Sequence, residues 1–218
     1  MHPIKPSLKT EILPTALIII MAVASVYFYQ TFPETVPTHW NFQGEVDGWG
    51  SRATGAFAIP TMTLFIYLLM LLLPLIDPKK QRYSQFTRAY HIIKNLLIVF
   101  MALLYATIGA SALGYFINVA MIIPMAIGIL FIVLGNYMGK IKPNWFMGIR
   151  TPWTMSSESV WNKTHRMGGK VFIISGILLA SNAFLPAQWR NFIFIFTILF
   201  ILIGTIGYSY LVYHNEKK

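Results

Sequence analysis

Apolar residues in this chain come in long uncharged runs rather than in the short alternations or one-sided stripes of a water-soluble fold. No Asp, Glu, Lys or Arg falls within Ile12–Gln30, Phe57–Ile76, Asn95–Gly139, Val171–Trp189 or Asn191–Tyr213. About 20 such residues are enough for a helix to cross the hydrocarbon of a bilayer. Asn95–Gly139 is roughly twice that length, and Gly114 followed by Asn118 supplies a turn near its middle, so this run predicts a helical hairpin. The pattern predicts an all-α integral membrane protein with six transmembrane helices.

Composition sharpens this reading. Of 218 residues, 56% are hydrophobic and 11% charged, against about a quarter charged in soluble domains, and the mean hydropathy is +0.60. The formal charge of +10 and pI near 9.8 would suggest a nucleic-acid partner in a soluble protein. Here the cations explain themselves by position. Lys5, Lys9, Lys79, Lys80, Arg82, Arg88, Lys94, Lys140, Lys142, Arg150, Lys163, Arg166, Lys170, Lys217 and Lys218 fall on one side of the expected spans, leaving only Arg52 and Arg190 of the 17 on the other. An excess of Lys and Arg marks cytoplasmic loops, so both termini are expected in the cytoplasm, the protein in a cell membrane, and no direct nucleic-acid contact is needed.

Two polar segments exceed what a connector requires. They divide the chain into an expected N-terminal two-span region, residues 1–94, carrying an outer loop at 31–56, and a four-span region, residues 95–218, carrying a cytoplasmic loop at 139–170. The intervening basic stretch, Asp77–Lys94, reads as a topology determinant. Ala22-Val23-Ala24 in the first span resembles a signal-peptidase site, but apolar residues continue through Val26, Tyr27 and Phe28, so the segment is expected to remain as an anchor.

The outer loop concentrates aromatic and acidic residues, with His39-Trp40-Asn41, Gly44 and Asp47-Gly48-Trp49 as candidate ligand-binding positions. Its glycines and the Asp47-Gly48 turn signal predict a compact, two-stranded or extended cap. The spacing of His39, Glu45 and Asp47 matches no metal motif, so no metal is expected.

The cytoplasmic loop predicts an interfacial helix over Ser157–Met167, capped by Ser156 or Ser157, favoured by Glu158 in its first turn and ended by Gly168. Val160, Trp161, Thr164 and Met167 share one face at helical spacing. The candidate functional cluster is Arg150, Thr151, Pro152, Trp153, Thr154, Glu158, Trp161, Asn162, Thr164 and Arg166, with Arg150 and Glu158 expected to pair as the chain folds back.

No cysteine is present, and the chain has no metalloprotease His pair, nucleophile elbow or phosphate-cradling glycine loop. The expectation is a non-enzyme without cofactor. The expected spans carry no ionisable relay, the usual mark of a transporter, although Pro60, Pro74 and Pro124 keep a small transporter or permeation protein as the alternative.

At these two segments the sequence resembles the SdpI family of bacterial membrane proteins, in which an N-terminal domain of unknown function accompanies an SdpI-like region. The first signature is Pro33, Val36-Pro37, His39-Trp40-Asn41, Gly44 and Asp47-Gly48. The second is Gly135-Asn136, Gly148-Ile149-Arg150-Thr151-Pro152-Trp153-Thr154, Glu158, Val160-Trp161 and Thr164-His165-Arg166. The resemblance implies a plasma-membrane immunity protein that gives resistance to a secreted antimicrobial peptide. It implies as partners that peptide toxin, membrane lipid and a cytoplasmic transcriptional repressor held at the membrane.

Overall fold

The computed structural model describes residues 2–216, and the molecule is a mostly helical membrane protein. In chain order it has α1 (Leu8–Thr31), a hairpin of β1 (Thr35–Trp40) and β2 (Val46–Ser51), α2 (Arg52–Ile76), a 3-10 turn (Lys80–Gln85), α3 (Thr87–Ala112), α4 (Val119–Met138), α5 (Pro152–Ser156), α6 (Glu158–Asn182), α7 (Ala187–Leu202), a π-helical turn (Ile203–Gly207) and α8 (Tyr208–Glu216). Among the described residues, α1, α2, α3, α4 and the continuous run Ala187–Glu216 are long and apolar enough to cross a membrane. The expected turn in the longest neutral run is present: Gly114, at φ 84, follows α3.

The sixth expected span and the interfacial helix take a different form. No separate helix ends at Met167. α6 runs for 25 residues from Glu158 through Gly168-Gly169 to Asn182, joining the expected interfacial helix to the first part of the Val171–Trp189 run. Both glycines are inside the helix because α4 lies against them. A Cβ on Gly169 would come within 2.7 Å of the Gly135 carbonyl oxygen, and one on Gly168 within 3.0 Å of Met138 Sδ, both on α4. Residues that end a helix in isolation thus serve here for close approach. The run breaks at residues 183–186, and Pro186 caps α7.

The chain folds as two compact units. One comprises Pro6–Leu71 and Lys94–Ile123. Its core is aromatic: Phe28 stacks on Phe32 at 4.6 Å and meets Tyr105 edge-on at 5.3 Å. Tyr105 donates its hydroxyl to the Ala56 carbonyl, 2.8 Å away. Gly109 and Gly55 leave room for Phe28 and Val36. In the same unit Lys94 of α3 is fully buried and pairs with Glu11 of α1, which also accepts the Tyr67 hydroxyl of α2 at 3.0 Å. Lys94 is therefore a helix-core residue and not the edge of a basic loop, because the carboxylate and the Tyr67 ring give its ammonium a place inside the bundle.

The second unit comprises Met1–Lys5, Leu72–Ile93 and Pro124–Lys218. Its central seam is the antiparallel contact of α4 with α6. Gly128 faces Gly176 and Gly135 faces Gly169, each pair so close that an added Cβ would strike the opposite carbonyl at 2.5–2.7 Å.

Candidate functional site

The expected cap in residues 31–56 is an antiparallel hairpin, in which Val36 pairs with Gly50, Pro37 with Trp49 and Trp40 with Val46. Its turn lies at Asn41–Glu45, not at Asp47-Gly48. The Asn41 side-chain oxygen accepts the Gln43 and Glu45 amides at 3.0 Å, the Asn41 amide reaches Glu45 O at 2.9 Å, and Gly44 adopts φ 89. An asparagine that satisfies two amides outcompetes the local Asp-Gly signal. Asp47 and Gly48 are consequently in β2.

The hairpin separates its candidate residues into two classes. Gly44 and Gly48 are spacers: a Cβ on the first would meet Ala120 Cβ at 2.9 Å, and one on the second His39 Cβ at 2.7 Å. Asn41 builds the turn, and Trp40 is half-buried. His39, Asp47 and Trp49 point outward, with His39 Nδ1 2.5 Å from Asp47 Oδ1 and Trp49 63% exposed. Phe42 at the tip is exposed as well.

In residues 139–170 the structure brings together a different set from the one expected. Arg150 and Glu158 do not pair. Arg150 is exposed and donates to the Trp145 carbonyl at 2.5 Å, while Glu158 accepts from Arg82 Nη2 at 2.9 Å. Glu158 starts α6 and faces the 3-10 turn that carries Arg82, so its nearest cation comes from the Lys80–Gln85 segment. Thr151 and Thr154 form a reciprocal cap on α5, with Pro152 in its first turn, and Thr151 Oγ1 reaches Ser209 Oγ at 3.1 Å. Trp153 meets Tyr210 edge-on at 5.2 Å. Asn162 and Arg166 are exposed, whereas Trp161 and Thr164 are fully buried. The shared face of Val160, Trp161 and Thr164 is thus the core side of α6, while Met167 is exposed.

Sequence reasoning named Trp161 as a cluster residue and Gly148 and His165 in the family signature, but missed the contacts by which they hold this segment, and missed Tyr83 and Asn144. His165 is fully buried and stacks on Trp161 at 4.0 Å. Its Nε2 accepts the Ile149 amide and its Nδ1 donates to the Trp161 carbonyl, which fixes the neutral Nδ1–H tautomer. Trp161 in turn donates its indole N–H to Ile141 O at 2.8 Å. Gly148, at φ 112, would place a Cβ 2.4 Å from His165 Nε2. Asn144 is buried, accepts the Phe146 and Met147 amides, and lies beside Tyr83, whose hydroxyl donates to Asp77. Burial and that bond to Asp77 hold the Tyr83 phenol well above the ordinary range. Asp77 also accepts the Trp145 amide at 2.9 Å. Asp77, Tyr83 and Asn144 stand in sequence as lone polar residues, with no local pattern to mark them. Among the described residues no three His, Cys, Asp or Glu side chains converge to hold a metal ion.

With this geometry in place, the comparisons with known proteins fall on the same two segments. Residues 140–209 match the SdpI/YfhL protein family, and residues 16–64 match a domain of unknown function, DUF1648. The chain is 28% identical over 211 residues to the "Immunity protein SdpI" of Bacillus subtilis (strain 168), covering 97% of this chain and 98% of that protein. No solved structure matches.

Proposed function

We propose that the chain, whose residues 140–209 match the SdpI/YfhL family, is a membrane immunity protein that protects its cell from a secreted antimicrobial peptide. The observation that carries this reading is similarity along almost the whole of both chains to a protein named for immunity. A match of that extent includes the hairpin as well as the 139–170 segment. The protein acts by binding and not by catalysis. The hairpin faces the outside of the plasma membrane, and His39, Asp47 and Trp49 form the surface that meets the peptide. An exposed indole beside a carboxylate suits an amphipathic, cationic ligand. Both termini lie in the cytoplasm, and α6 completes a sixth crossing with its last turns. At the cytoplasmic end a repressor would meet the exposed Arg150 and Asn162.

Survival of a peptide-sensitive strain expressing the chain tests the proposal. Expression should raise the peptide concentration needed to kill, and Trp49→Ala should abolish that gain at unchanged membrane abundance. Equal killing with and without the wild-type chain, for peptides encoded beside it or beside its relatives, would overturn the reading.

A further inference from the structure

One stripe of α6 changes chemistry along its length. Arg166, Lys170, Ile174 and Ile177 recur at helical spacing, and all four are exposed, the isoleucines by 47% and 56%. Lys170 immediately precedes the uncharged run that begins at Val171; on the crossing proposed above for α6, the cations stand at the hydrocarbon boundary and the isoleucines within it. Gly169, Gly176 and Ile173 take the contact with α4, leaving the stripe beside that seam. α4 ends at Met138, and a Cβ on Gly139 would lie 3.9 Å from Arg166 Cα. This brings the backbone of Lys140 to the same end.

No acid of this unit is left to neutralise these cations. Its side-chain carboxylates are Asp77, Glu158 and Glu216. Asp77 accepts from Tyr83 and Trp145, Glu158 pairs with Arg82, and Glu216 takes Lys163 at 2.7 Å together with Ser159. Among the described residues, no ion pair engages Lys140, Arg166 or Lys170, and the Lys140 ammonium lies over the Tyr137 ring at 4.6 Å.

We propose that this stripe is a binding site for an anionic phospholipid, its phosphate held by Arg166 and Lys170 beside Lys140 and an acyl chain laid along Ile174 and Ile177. Uncompensated cations at the hydrocarbon boundary attract anionic headgroups, and a guanidinium fork matches phosphate oxygens. The lower isoleucines supply the contact that a free phosphate cannot use. The site rests on the α6 crossing proposed above but not on the immunity reading, and stands if immunity fails.

Native mass spectrometry of the detergent-solubilised full chain, with phosphatidylglycerol or phosphatidylcholine added, tests it. The wild type should retain phosphatidylglycerol in preference to phosphatidylcholine. Arg166→Gln/Lys170→Gln should lose that retention about 25-fold, on the order of five-fold per cation. The charge-matched Lys80→Gln/Arg88→Gln, also exposed, should keep it. If the first double variant does not fold, Lys170→Gln alone reads the same effect at about five-fold. Equal losses in both double variants, no lipid preference in the wild type, or displacement of the lipid by excess glycerol phosphate would each overturn the proposal.

Discussion

Ile149 gives its amide hydrogen to Nε2 of His165, 3.0 Å away and sixteen residues along the chain. The ring is fully buried, and burial pulls its pKa from 6.5 down to about 4 against the opposing pull of the Trp161 carbonyl. An unfolded chain takes up the proton near pH 6.5, while the folded one resists it until about pH 4. The stabilisation is therefore complete above pH 6.5 and is lost as pH falls from there toward 4. At about 1.4 kcal/mol per unit, roughly 2 kcal/mol should disappear between pH 7.5 and 5. Thermal unfolding of the wild type minus that of His165→Gln across this range isolates the effect, and parallel curves would contradict it.

Gly148→Ala should destabilise the same staple from the other side. Its left-handed φ of 112 is strained for alanine, and the new methyl would collide with the imidazole. A loss of about 2–4 kcal/mol, visible as reduced membrane abundance and a lower melting temperature, is expected.

The Glu11–Lys94 pair lies inside helices read as spans. Lys94→Ala leaves the carboxylate facing the bundle uncompensated and should cost about 3–5 kcal/mol. Removing both charges together, as Glu11→Gln/Lys94→Met, should restore most of the abundance, since an apolar filling of similar volume commonly replaces a buried pair without loss. A double variant as depleted as the single one would show that the pair itself, and not its charge balance, is required.

Arg82→Ala or Glu158→Ala should change abundance little, because their contact is exposed and such pairs contribute about 0–1 kcal/mol. The same holds for Arg150→Ala, whose partner is a backbone carbonyl at the surface. Quantitative immunoblots of membranes from the three variants provide the comparison.

Introduced cysteines read the topology, since the chain has none of its own. Gln43 at the hairpin turn and Asn162 on α6 are both exposed. In intact cells an impermeant thiol reagent should label Gln43→Cys and spare Asn162→Cys. The reverse pattern would invert the proposed orientation.

Much of this architecture is legible in the residues themselves. Uncharged runs mark the helices able to cross a bilayer, Gly114 marks the turn between α3 and α4, and Ser157 caps α6 by accepting the Val160 amide. What local pattern hides is every choice made by a distant partner. Asp47-Gly48 looks like a turn until Asn41 claims the nearby amides, and Gly168-Gly169 looks like a helix end until α4 lies across it. Glu158 looks like a partner for Arg150 until Arg82 comes beside it. Trp161 reads from its spacing as an interfacial ring and is instead a buried peg that ties Ile141 to α6. The outward face of the hairpin is the part of the candidate site most visible in advance, because strand alternation alone sorts Asp47 and Trp49 from Gly48.

Gly128 and Gly135 stand seven residues apart on α4, and Gly169 and Gly176 stand seven apart on α6. A straight helix drifts by only about 20° over seven residues, so both glycines of each helix face the partner. The four glycines thus act as a ruler. A single residue inserted between Gly169 and Gly176 would turn the second glycine away from its partner by about 100°, unzipping the far half of the seam while leaving the near half engaged.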